Sequence, residues 1–217
     1  AFDNLYISDS EFYENGLNTT LCGQIPIFCG GIVLPSNFNS SGLVIENSRI
    51  YHNNFAGTLI LGNFSGVQIS NNDVFENGYL CQGKNCLINE TILIGGGITL
   101  IGYFSMDGDY IRNITDVTIS NNRIFNNTNV SPNISVSGIN LFLVNNSIIS
   151  DNTITNNTIG IFPSAVWSIA TRANQISDNY VGFLSEGGGI WDSVITANWI
   201  RDNQWGVGLW AINSTVY

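Results

Sequence analysis

Basic residues are scarce in this chain of 217 residues, where one Lys and five Arg stand against 16 acids for a net charge of −10. Nucleic acids and anionic membrane surfaces are held by basic patches, so neither is an expected partner. Only 10% of the residues are charged, and the chain has a single His and a single Met. No apolar run is long enough for a membrane-spanning helix. Few stretches show helical periodicity, and short period-2 runs favour strands throughout. No signal-peptide pattern opens the chain, which therefore reads as a mature chain or an excised fragment.

Asn is what the chain has in excess, with 32 copies. The segment VTISNNRIFNN at 117–127 shows how they are used, and it recurs. LYISDSEFYENG, LVIENSRIYHNN, VQISNNDVFENG, SIISDNTITNNT, IATRANQISDNY and SVITANWIRDNQ carry the same pattern. Their shared apolar position is Phe12, Ile50, Val74, Ile124, Ile154, Ile176 and Ile200. Three residues later every copy has Asn, at Asn15, Asn53, Asn77, Asn127, Asn157, Asn179 and Asn203. Two residues before it stand Ser10, Ser48, Asn72, Asn122, Asn152, Asn174 and Asn198.

The copies are spaced by 38, 24, 50, 30, 22 and 24 residues. A Gly-apolar element follows each Asn, beginning at Gly31, Gly57, Gly97, Gly138, Gly160, Gly182 and Gly206. A fixed period of this length is the mark of a solenoid. The spacings of 22 and 24 suit one three-stranded coil, and the longer ones are that coil with insertions. The pattern resembles the right-handed parallel β-helix repeat family, the pectin-lyase-like superfamily fold of pectin-degrading enzymes, phage tailspikes and microbial surface proteins. The resemblance implies an all-β, single-domain right-handed parallel β-helix over 1–217, of about seven coils. Insertions are expected near 17–30, 79–95, 103–112 and 128–136, mostly projecting from one edge. Equivalent positions on successive coils stack about 4.8 Å apart, so the Asn column should form an amide ladder beside a column of Ile.

Unrelated activities ride on this scaffold, so function must come from residues outside the ladder. The position before each ladder Asn reads Glu14, His52, Glu76, Asn126, Asn156, Asp178 and Asp202. Glu14, His52 and Glu76 on consecutive coils are the candidate acid/base or metal group, set against the plainer reading of a solvated face. Asp178 and Asp202, beside Arg201, form a second acidic pair. One residue earlier lie Tyr13, Tyr51, Phe75 and Phe125, which alternation points outward. Exposed, such rings bind sugars or a partner; the simpler expectation is that the insertions fold back over them. Trp167 and Trp191 should stack one coil apart as an interface or glycan-stacking patch. The paired Asp, Gly-His-Gly and Arg-Ile-Lys signatures of pectin hydrolases are absent, as is the Asp-Pro-His-Glu motif of alginate epimerases. No cofactor or metal is expected, and Asp107 and Asp109 hold too little of a Ca²⁺ loop to change that.

Two features imply an extracellular or cell-surface address. Cys22 with Cys29, and Cys81 with Cys86, are close pairs inside insertions and are expected as local disulfides. They lack Cys-x-x-Cys spacing, so zinc is not expected. N-glycosylation sequons fall at Asn18, Asn39, Asn63, Asn89, Asn113, Asn126, Asn129, Asn133, Asn145, Asn156 and Asn213, none of them a ladder Asn. Asn39, Asn63 and Asn113 should share one column, with Asn145 and Asn213 near its phase. At the ends, Val216-Tyr217 takes the phase of Leu5-Tyr6, and no capping helix is apparent. The partners this implies are copies of the chain stacked head to tail, or the flanking β-helix of a longer chain. The sequence thus points to a secreted, glycosylated structural component of a surface layer or filament. A polysaccharide-binding or polysaccharide-degrading β-helix is the alternative.

Overall fold

In the computed structural model, the described residues are 3–15, 30–78, 87–88, 92–93, 95–104, 111–128, 136–186 and 188–217. They form strands without helices, and the strands climb as a parallel solenoid. Each coil contributes a three-residue strand: Glu11–Tyr13, Arg49–Tyr51, Asp73–Phe75, Arg123–Phe125, Thr153–Thr155, Gln175–Ser177 and Trp199–Arg201. These seven pair in order as one parallel sheet. The other two sides of each coil belong to a 15-stranded sheet. In early coils the two sides are one strand, as in Ile32–Glu46 and Ala56–Ser70. Later they separate, as in Ile159–Ser164 and Val166–Arg172.

The repeat's apolar residue is the middle of each short strand. Ile50, Val74, Ile124, Ile154 and Ile176 are fully buried there. A second column runs Ile7, Ile45, Ile69, Ile119, Ile149, Thr171, Ile195 and Val216, each pair in register. Val216 therefore shares the phase of Ile7, two residues from the phase expected for it. Exposed apolar groups concentrate in the last coil, including Trp199, Trp205, Val207, Trp210 and Ile212.

Corners explain the paired Asn. Asp9, Asn47, Asn71, Asn121, Asp151, Ala173 and Ala197 all have φ between 48 and 58°. So do Glu14, His52, Glu76, Asn126, Asn156, Asp178 and Asp202. Left-handed backbone costs most L-residues roughly 1–2 kcal/mol and Asn or Asp least, which accounts for much of this composition. In each Asn pair the first residue makes the turn and the second enters the core.

Two polar ladders result, one at each corner. Side-chain amides link Asn15, Asn53, Asn77, Asn127, Asn157, Asn179 and Asn203 in sequence at 2.8–3.1 Å. Asn72, Asn122, Asn152, Asn174 and Asn198 form the other at 2.9–3.0 Å. Ser48 joins its N-terminal end, donating its backbone N–H to Asn72 Oδ1 at 3.0 Å. A Gly column packs against the first ladder. A Cβ on Gly57 would lie 2.8 Å from Asn77 Nδ2 and 2.8 Å from the Gly97 carbonyl oxygen. The Gly-apolar motif therefore exists because amide and backbone approach too closely for a side chain.

The insertion at 103–112 begins and ends as an antiparallel pair, Tyr103–Phe104 with Ile111–Arg112. Leu87–Ile88 pairs likewise with Ile92–Leu93 inside the insertion at 79–95. The expected disulfides of Cys22, Cys29, Cys81 and Cys86 lie outside the described residues. So do Asp107 and Asp109, and the sequons at Asn18, Asn89, Asn129 and Asn133.

Candidate functional site

Period-2 alternation in the short strands turns the residues on either side of the buried one outward. The first outward column reads Glu11, Arg49, Asp73 and Arg123, paired in register. Charges of opposite sign thus sit on neighbouring coils. Arg49 Nη1 lies 2.8 Å from Glu11 Oε1, and Arg123 Nη1 lies 3.2 Å from Asp73 Oδ1. Both guanidinium groups remain more than half exposed, so each pair contributes little stability.

The second outward column is the aromatic one. Tyr13 and Tyr51 stack with ring centres 5.2 Å apart, Tyr51 and Phe75 at 4.9 Å, and Phe75 and Phe125 at 4.8 Å. Interplanar angles of 11°, 1° and 4° make a continuous pile. The faces are spent on one another, so the inner rings offer their edges to solvent. The Arg49 guanidinium carbon lies 5.1 Å from the Tyr51 centre, and that of Arg123 lies 5.3 Å from the Phe125 centre. Packing between rings pushes the Tyr51 pKa up, chiefly by desolvation, with the nearby Glu11 carboxylate adding to it.

The third column holds Glu14, His52 and Glu76, all at the left-handed corner. His52 Nε2 pairs with Glu76 Oε2 and meets the Tyr51 ring edge-on at 5.2 Å between centres. Among the described residues no group of three or more His, Cys, Asp or Glu side chains is placed to hold a metal ion. The three residues therefore share a column, as their spacing implied, with His52 and Glu76 as the closed pair. Further along, Asp178 accepts from Ser177 Oγ at 2.9 Å and Asp202 lies 3.5 Å from Arg201.

Trp167 and Trp191 pair in register and stack at 4.8 Å and 11°. Asn145 lies beside Trp167 and Ile212 beside Trp191 in the same column. The indoles, too, spend their facing surfaces on each other.

The sequons divide by position. Asn39 is exposed beside a register shift between Ser36 and Ser40, and accepts from Asn63 Nδ2 at 2.7 Å. The pairing of Phe64 with Ile114 sets Asn113 one coil further on. Asn145 belongs to a column two residues away, paired with Thr115, and Asn213 follows Ile212 at a left-handed corner. Asn126 and Asn156 hold consecutive left-handed corners, where Asn has a conformational reason to occur. An open groove of about 370 Å³ on the last two coils, lined by Tyr180, Leu184, Glu186 and Trp205, is not marked in the sequence. Its residues follow no single column of the repeat, so nothing in the spacing marks them.

The family model described as "Right handed beta helix region" matches residues 79–216. Among solved structures, the A-module of Azotobacter vinelandii mannuronan C-5 epimerase AlgE6 is similar, with a TM-score of 0.61 and 17% identity. That of mannuronan C-5 epimerase AlgE4 from the same organism gives 0.56 and 19%. Each similarity covers 99% of this chain but 57% and 58%, respectively, of the longer module. At such identities the likeness concerns the fold alone. No curated protein matches the chain in sequence.

Proposed function

Because this chain belongs to the right-handed β-helix family, whose scaffold leaves the ligand open, we propose that it is a polysaccharide-binding β-helix. The ligand would lie on the outward face of the short-strand sheet. The observation that carries the reading is the three-column strip: ring edges flanked on one side by Glu11, Arg49, Asp73 and Arg123 and on the other by His52 and Glu76. Sugars present hydroxyls that both donate and accept, together with apolar C–H edges, and such a strip answers each of these. The two structural neighbours, named as mannuronan epimerases, support a polysaccharide as the class of ligand.

Binding is favoured over bond cleavage. Three of the strip's four carboxylates, Glu11, Asp73 and Glu76, are engaged with Arg49, Arg123 and His52, and the Asp-Pro-His-Glu run is absent. Affinity electrophoresis of the intact protein through gels loaded with different polysaccharides tests the reading. Retardation by at least one polysaccharide, reduced in Tyr51→Ala and Arg49→Ala, is expected. Unchanged mobility in every gel would remove the proposal.

A secreted, glycosylated structural rod is the second reading, supported by the sequon surplus and by the exposed, bulged position of Asn39. Mass spectrometry of native material, before and after enzymatic deglycosylation, tests it. Glycan at Asn39 is the expected result, and an unmodified Asn39 would count against it.

A further inference from the structure

We infer that the glycan is an uncharged, β-linked polymer running along the solenoid axis with one sugar per coil; this rests on the polysaccharide-binding reading above. Register carries the argument. Glu11, Arg49, Asp73 and Arg123 alternate in sign on successive coils, so like groups recur at every second coil. In a β-1,4-linked chain with a two-fold screw, each sugar is turned over relative to the last, so like edges recur at every second sugar. Such a chain advances per sugar by close to the spacing of neighbouring strands, about 4.8 Å. The two-fold repeats match, and the steps are close enough to keep register over a few sugars. Arg49 and Arg123 would then meet one kind of sugar edge, and Glu11 and Asp73 the other.

Charge selects among β-linked polymers. Glu11, Asp73, Glu14 and Glu76 put four carboxylates on the strip against the two guanidinium groups. Both of those are already engaged by acids of their own column. A polyuronate would add a negative charge per sugar to a chain whose net charge is already −10. A neutral hydroxyl instead accepts from Arg and donates to Glu or Asp without displacing the ion pairs. Beyond Phe125 the outward positions become Thr153, Thr155 and Gln175, uncharged groups that add no cation for a polyuronate.

Calorimetric titration of the intact protein with size-defined oligosaccharides tests this, using neutral β-1,4-linked hexose oligomers, β-1,4-linked uronate oligomers and α-1,4-linked glucose oligomers. The neutral β-linked series should bind, with affinity rising through roughly the tetramer, one sugar for each charged coil, and flattening afterwards. Arg49→Gln and Arg123→Gln, with unchanged circular dichroism, should each weaken it about tenfold, the scale of a lost charge-assisted hydrogen bond. Equal or tighter binding of the uronates or the α-linked series overturns this inference and leaves the polysaccharide-binding reading standing. Binding by none of the three series, with none of the polysaccharide gels retarding the protein, removes both.

Discussion

Asn77 directs two donors at one oxygen of Asn127, 50 residues away in sequence. Its backbone N–H reaches Asn127 Oδ1 at 3.1 Å and its Nδ2 reaches the same atom at 3.0 Å. The remaining Nδ2 hydrogen goes back one coil to the Ile50 carbonyl at 2.9 Å. Asn77 Oδ1 in turn accepts from the backbone and side chain of Asn53. A fully buried amide is thereby satisfied on every side, and the ladder runs in one direction along the rod.

Cutting the ladder in its middle should be costly. Asn127→Ala strands both Asn77 donors and removes a partner from the Val74 carbonyl. A loss of about 2–5 kcal/mol is expected, because buried donors left unpaired cost 1–3 kcal/mol each. Asn203→Ala, in the half-buried last coil, should cost less than half as much. Urea unfolding midpoints of the two variants compare them directly.

The Gly column offers a matched pair. Gly57→Ala must displace Asn77, Val74 or the Gly97 backbone, each within 2.9 Å of the new Cβ. Overpacking of that kind costs about 1–3 kcal/mol. Gly206→Ala meets nothing within 4 Å and should be neutral or slightly stabilising. Thermal unfolding of both variants separates packing from chain entropy.

Ala173 occupies a left-handed corner, at φ 53°, where five of the other six coils have Asn or Asp and Ala197 fills the sixth. Ala173→Asn should stabilise the protein by roughly 0.5–1 kcal/mol by relieving backbone strain. An unchanged urea midpoint would show that the corner stores no such strain.

Tyr51 gives a pH signature. Its pKa is raised above 10.0, first by desolvation in the ring pile and then by Glu11. The folded state thus holds the phenolic proton more tightly than the unfolded state does. The associated stability is fully present below the unfolded pKa and is lost as pH rises through the folded one. Tyr51→Phe should therefore show a shallower fall in stability above pH 10 than the parent, measured by urea midpoints across the alkaline range.

Most of the scaffold was readable because a solenoid repeats its requirements. The Ile and Asn columns recur at fixed offsets, and the structure pairs Ile124 with Val74 and Ile154 as that recurrence demands. The conformation of the candidate site was not readable. Glu14, His52 and Glu76 invited a chemical reading because two acids and the single His fall at one position on consecutive coils; that the position is a left-handed corner is not visible, since spacing carries no φ. Stacking of the outward aromatics was legible in their column, but not that their faces would close on one another. Asn145 and Asn213 lie only near the phase of Asn113, two and three residues away, as their spacing already shows: Asn113 stands six residues before Ile119, Asn145 four before Ile149 and Asn213 three before Val216.

Hydroxyl-radical footprinting with and without a saturating bound polysaccharide tests the binding face most directly. Protection is predicted at Tyr13, Tyr51, Phe75 and Phe125, with Trp205 and Trp210 of the last coil labelled equally in both states. Unprotected rings on a saturated protein would contradict the account, since the glycan would then lie elsewhere on the rod.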